Sequence, residues 1–197
     1  MKIYDISQEL FSSVVYPGDP APEKKMLSTI KGGNACNVTF LMMCAHNGTH
    51  IDAPNHFIDD GKTIEALPLS KTVGECYVTH FDGVIGENDI RNILQRAEKL
   101  SEECSKRLLV GGKATLGSDA ANVLAERKIE LYGNESQTVG PEEAPMRTHL
   151  VMLGADIVLL EGIRLGDVPE GRYILSAAPI NLGGADGAPC RAVLIEI

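Results

Sequence analysis

The stretch Cys44–Phe57, CAHNGTHIDAPNHF, holds three of the chain's five histidines, His46, His50 and His56, together with Asp52. Imidazole nitrogens and a carboxylate oxygen are what zinc, manganese or iron(II) take as protein ligands. The HxxxH spacing of His46 and His50 would place both rings on one face of a helix, but the intervening residues oppose a helix. Gly48 costs about 1 kcal/mol there against alanine, Thr49 and Ile51 are β-branched, and Pro54 drives Ala53 out of the α region. In an extended segment side chains repeat every second residue, so His46, His50 and Asp52 share one face with Gly48 in the gap. Glycine there allows a positive φ or a close backbone approach. Such a set leaves a coordination position open for water, as catalytic rather than closed structural sites do. His56 lies beyond Pro54 and is the candidate general acid/base. Cys44, two residues before His46, reads as a small buried side chain.

Farther along, Glu161 ends the apolar run IVLL. A carboxylate there costs several kcal/mol if unpaired, so it needs a cation, a hydrogen-bond network or a metal. On their own residues His149 reads as helix packing and His80 as structural. The glycine-rich LVGGKATLG lacks a P-loop, since Arg107 stands where the first glycine belongs and Ala114 follows the GK pair; NLGGADGAP leads into a strand, so both read as turns. There is no GxSxG elbow.

The elements that must position these groups can be read from periodicity. MKIYDI, NVTFLMMCAH and GECYVTHF are strand-like, separated by turn-rich segments such as YPGDPAP. From Glu87, apolar residues at 90, 93, 94, 97 and 100 predict an amphipathic helix with Asn88 as N-cap. KRLLVGG predicts a strand, and Ser118 can cap a second helix carrying Ala121, Leu124 and Ala125, followed by the strand IELYG. EEAPMRTHLVMLGA predicts a third helix, with Pro145 in its first turn and Gly154 as its C-terminal cap. DIVLLEGI reads as a strand buried on both faces, and RYILSAAPI and CRAVLIEI supply two more. Strands followed by strand and helix alternation predict a mixed α/β domain, residues 1–197, with a sheet covered by helices.

At 197 residues, 44% hydrophobic, the chain can bury about 70% of its unfolded surface. A net charge of −9 opposes nucleic acid and anionic membranes as partners and is compatible with binding cations. Charges at Lys2, Asp5 and Glu9 interrupt any signal-peptide core, and no apolar run approaches a spanning helix, which predicts a cytoplasmic protein. Five widely spaced cysteines without a CxxC pair fit reduced thiols.

From His46 to His56 the sequence reads HxGTHxDxPxH, and here it resembles the bacterial metal-dependent kynurenine formamidases of the cyclase family, which also contains isatin hydrolases. YPGDP at Tyr16–Pro20, VLLEG around Glu161, DVPEGRYIL and LGGADGAPCRAVL look like family landmarks in the right order. The resemblance implies that His46, His50 and Asp52 bind a first metal, that Asp52 can bridge to a second, and that His56 is the general acid/base. It also implies that a later histidine and a glutamate twelve residues beyond it complete a two-metal site, a spacing that His149 and Glu161 match. A swivelling β/β/α fold, a homodimer and zinc, or manganese in some members, are implied with it. Tyr16 stands where the family often has a tryptophan lining an aryl pocket.

The expected activity is metal-dependent hydrolysis of a small amide, N-formylkynurenine first, with one or two divalent ions lowering the pKa of water toward 7 and His56 relaying the proton to the leaving nitrogen. Hydrolysis of a different or cyclic amide, and a non-catalytic metal-binding module, are the alternatives. A substrate panel separates them.

Overall fold

The computed structural model describes residues 1–197. In chain order the strands are β1 (Ile3–Asp5), β2 (Glu23–Ser28), β3 (Val38–Met42), β4 (His50–Asp52), β5 (Val73–His80) and β6 (Gly83–Ile85), then helix α1 (Glu87–Leu100). There follow β7 (Arg107–Gly111), β8 (Ala114–Leu116), α2 (Ser118–Glu126), β9 (Leu131–Asn134), α3 (Pro145–Gly154), β10 (Val158–Glu161), β11 (Gly171–Ser176), β12 (Gly187–Pro189) and β13 (Val193–Glu196). Nine strands form one sheet in the order β1-β13-β11-β5-β7-β9-β10-β4-β12, while β2-β3 and β6-β8 are separate pairs. The run β5-β7-β9-β10 is parallel and the outer strands are antiparallel. The mixed α/β architecture is therefore as the sequence predicts.

Parallel strands need crossovers, and α1, α2 and α3 provide them. Ile90, Ile93, Leu94 and Ala97 of α1 are buried, as their spacing predicts, in a core shared with Leu108 and Val110 of β7, Leu124 of α2 and Met152 of α3. Burying each of the larger side chains stabilises the fold by about 1.5–3 kcal/mol. A second core lies on the opposite face of the sheet. There Ile51 of β4 and Ala188 of β12, at one edge, share a cluster with Leu175 of β11 and Leu194 of β13 near the other. Val78, Leu109, Leu131 and Leu160, from the strands between them, complete that cluster on the face turned away from the helices.

The helix ends differ from the sequence reading. Gly86, not Asn88, is the N-cap of α1, because the Asp89 carboxylate reaches back to accept from the Gly86 N–H at 3.0 Å. Gly117 precedes α2, and Ser118 lies inside its first turn, with no side-chain cap. Pro145 opens α3 as predicted, whereas Gly154 is its last helical residue and the left-handed turn falls on Asp156. The strand predicted from NVTFLMMCAH stops at Met42, and the stretch read as a turn in NLGGADGAP contains β12. No helix is long and apolar enough to cross a membrane.

Candidate metal centre

β4 is three residues long, and its alternation sends Ile51 into the second core while His50 and Asp52 project to the other side. Register sets their neighbours. On one flank Glu161 of β10 stands directly opposite His50; on the other, Gly187 of β12 stands opposite Asp52. His149, on the buried face of α3, arrives from above, its Nε2 3.1 Å from Glu161 Oε1 and 3.8 Å from Asp52 Oδ2.

His46 is not part of an extended arm. It lies in a turn before β4, made by Gly48 at φ +70°, a conformation that disfavours side chains with a Cβ. The turn still delivers the ring to the face predicted for it, with Nδ1 2.8 Å from Asp52 Oδ1. The close approach of β12 depends on glycine: a Cβ at Gly187 would lie 2.7 Å from His46 Cε1. His56 occupies a 3-10 turn, Pro54–His56, and stacks on His46 with ring centroids 4.0 Å apart.

The structure thus brings together all six side chains singled out for chemistry, as two overlapping groups, His46–His50–Asp52 and Asp52–His149–Glu161, with His56 beside them. Two residues were missed. Asp186, from the loop before β12, reaches His46 Nε2 at 3.0 Å and His56 Nδ1 at 3.3 Å. Its signal was an aspartate inside the glycine-rich stretch read as a turn. Phe57 stacks on His149 at 4.5 Å, and its position directly after His56 was the available clue. A cavity of about 400 Å³ opens over the cluster, lined also by Tyr16, Phe57 and Cys44. His80 is remote, bonded to the Val168 carbonyl.

Hydrogen bonding defines what the cluster lacks. Gly48 O faces His50 Nδ1 at 3.0 Å and Pro145 O faces His149 Nδ1 at 2.9 Å. Carbonyls only accept, so both rings donate through Nδ1, and in their neutral forms both present a bare Nε2 to the carboxylates. His50 Nε2 lies 3.3 Å from both Asp52 Oδ1 and Glu161 Oε2, yet it and Asp52 Oδ2 have no hydrogen-bond partner. Lone pairs opposing buried anionic oxygens are stable only with positive charge between them. In the metal-free chain a proton fills that role. Burial pulls the His50 imidazolium down, but the facing carboxylates of Asp52 and Glu161 outweigh it and push its pKa up to about 10. Burial would likewise raise Asp52, and the His46 and His50 rings instead hold it well below the usual carboxylate range. His56 differs in kind: burial lowers its pKa and keeps the ring neutral at pH 7. With neutral rings, the buried carboxylates of Asp52 and Glu161 call for a cationic partner. The nitrogen and oxygen donors suit zinc or manganese.

Comparison with known proteins adds the lineage. The Cyclase family model, described as "Putative cyclase", matches residues 4–141. The chain belongs to this family. A kynurenine formamidase of Erythrobacter litoralis is 32% identical over 100% of this chain and 94% of its own. A solved structure of a potential metal-dependent hydrolase with cyclase activity superposes with a TM-score of 0.80 at 30% identity, covering 98% of this chain and 96% of the other. Isatin hydrolase A from Labrenzia aggregata shares the fold, with a TM-score of 0.81 at 20% identity over 98% of this chain and 93% of its own.

Proposed function

We propose that the chain is a metal-dependent hydrolase of a small amide, and that it removes the formyl group of N-formylkynurenine to give kynurenine and formate. The observation that carries this reading is the pair of Nε2 lone pairs turned on two buried carboxylates beneath an open cavity. The kynurenine formamidase relative, matched along 94% of its length, supports the substrate. His46, His50 and Asp52 would hold one divalent ion, zinc or alternatively manganese. Asp52, His149 and Glu161 would hold a second, Asp52 being common to both groups.

A divalent ion in this position acidifies water and polarises a carbonyl oxygen. The chain's own residues do the rest. His56, neutral through burial, accepts the proton of the attacking water and returns it to the nitrogen as the carbon–nitrogen bond breaks. Asp186 accepts from His56 Nδ1 and so fixes the tautomer that leaves Nε2 free to take that proton. Phe57, stacked on His149, offers an aromatic surface to a substrate ring. Tyr16 borders the same space.

We further infer a homodimer. The β2–β3 hairpin stands apart from the main sheet and exposes Met26, Leu27, Phe40, Leu41 and Met42, each about half accessible, and a second copy would cover such an apolar patch. Five free thiols fit a reducing, cytoplasmic setting.

The test is formate release from N-formylkynurenine by metal-stripped protein reconstituted with zinc or manganese, with isatin as a competing substrate and metal content measured on the same samples. Turnover restored by metal supports the reading; full turnover by metal-free protein, or none in any form, overturns it.

A further inference from the structure

We propose that a second cavity beside the metal cluster receives a carboxylate borne by the substrate, and that Arg164 is its receptor. The inference rests on the amide-hydrolase reading and specifies which amides the site takes.

This cavity has a volume of about 520 Å³ and shares Tyr16, Gln137 and Thr138 with the cavity over the cluster, so the two are adjoining rooms with a common wall. Val14, Val15 and Pro17 contribute apolar surface to its wall, and Arg164 lines it with them. Its guanidinium is held by neutral oxygens alone. Nη1 donates to the carbonyls of Glu135 at 2.8 Å and Ile163 at 2.7 Å, and Nη2 donates to Gln8 Oε1 at 2.6 Å. Five N–H donors are available and these bonds use three, so Nε–H and one Nη2–H have no protein acceptor. Arg164 makes no ion pair: the Glu135 side chain accepts the N–H groups of Leu165 at 2.6 Å and Gly166 at 3.3 Å, and Glu142 is exposed at the rim. A half-buried, rigidly held guanidinium with free donors on a cavity wall suits a carboxylate.

Arg164 is also tied in register to the cluster. Gln8 Oε1, which accepts from Arg164, belongs to an amide whose Nε2 donates to Gln137 Oε1 at 2.7 Å. Gln137 Nε2 donates to Gly48 O at 3.1 Å, the same carbonyl that receives His50 Nδ1. One chain of hydrogen bonds therefore fixes the distance between the amide-cleaving centre and the cation. An aryl formamide lying beside Phe57 with a side arm ending in a carboxylate would span the two rooms.

The test compares N-formylkynurenine with its methyl ester, in which a methyl group caps the carboxylate and removes its charge. In the zinc-loaded enzyme the acid is expected to exceed the ester in kcat/KM by about 10- to 100-fold, the range for hydrogen bonds to a charged group. Arg164→Gln collapses that ratio toward one, mainly through KM, and Arg164→Lys retains part of it; because the ratio is internal to each variant, loss of folded protein does not alter it. A ratio near one in the unaltered enzyme, or one unchanged in R164Q, overturns the proposal. Calorimetry with 4-oxo-4-phenylbutanoate and its methyl ester gives a readout independent of turnover. The acid binds the unaltered protein at least about tenfold more tightly than the ester, and R164Q removes the difference. Acid-selective binding without formate release would sink the formamidase reading alone, whereas formate release with no acid preference would sink this one alone.

Discussion

His56 and His149 share a cavity yet differ in what their removal should do. His149 donates through Nδ1 to the Pro145 carbonyl and turns Nε2 on Glu161, the arrangement of an oriented ligand. His149→Ala is therefore expected to lower bound metal by one ion per chain, read by elemental analysis, with the ion at His46, His50 and Asp52 retained. Unchanged metal content would remove His149 from the ligand set. His56 stacks against His46 but is bonded only to Asp186, at 3.3 Å. His56→Ala should keep full metal content and lose about 10²- to 10⁴-fold in kcat, the usual contribution of a positioned acid/base. Wild-type kcat in that variant would end its assignment. His46, His50, Asp52 and His56 were legible because their relation is local: four positions between 46 and 56 decide one small surface, whereas His149 on its own residues reads as helix packing. Glu161 announced itself through the cost of an unpaired carboxylate in an apolar strand. Asp186 did not, since its meeting with His46 and His56 exists only once β12 lies beside β4.

Among the elements, α1 was readable because a single period of apolar residues spans it, and burial at 90, 93, 94 and 97 follows that period. Its start was not, because Gly86 caps it through a carboxylate three residues on instead of through its own side chain. The β2–β3 hairpin was only half visible. VTFLM reads as a strand, but its partner EKKMLS carries two lysines and no clear alternation, so the pairing of Lys25 with Phe40 could not be foreseen. The hairpin's exposed apolar side chains carry the dimer reading, which makes Phe40→Asp informative. Light scattering is expected to show a dimer for the unaltered chain and a monomer for F40D, with the secondary structure of the main sheet unchanged. Equal masses for the two would place the interface elsewhere or abolish it.

At the scale of the molecule, the cluster links metal, proton and stability. The His50 pKa rises from 6.5 to about 10 on folding of the metal-free chain. A raised folded-state value contributes stability that is full below pH 6.5 and is lost as pH rises through about 10. Metal needs the same nitrogen deprotonated, so its affinity increases over the same interval. The melting temperature of metal-free protein should therefore fall from pH 6.5 toward 10 while the increment given by zinc grows. At a thousandfold excess over Kd that increment is about 4 kcal/mol, or about 8–16 °C for a chain of this size. Parallel melting curves with and without zinc across that range would contradict the linkage. The strand order itself could not be read from sequence, because β4 is placed by partners far along the chain.

That placement has a consequence for synthesis. β4 lies between β10 and β12, and Val158 follows Asp52 by just over a hundred residues. At ribosomal speed the interval is roughly 5–20 s. During it the HxGTHxD segment has emerged without either strand that will flank it, and without His149 or Glu161. With those residues as ligands, the nascent chain would offer an ion only a loose, incomplete set, and loading would belong to the end of translation or after release.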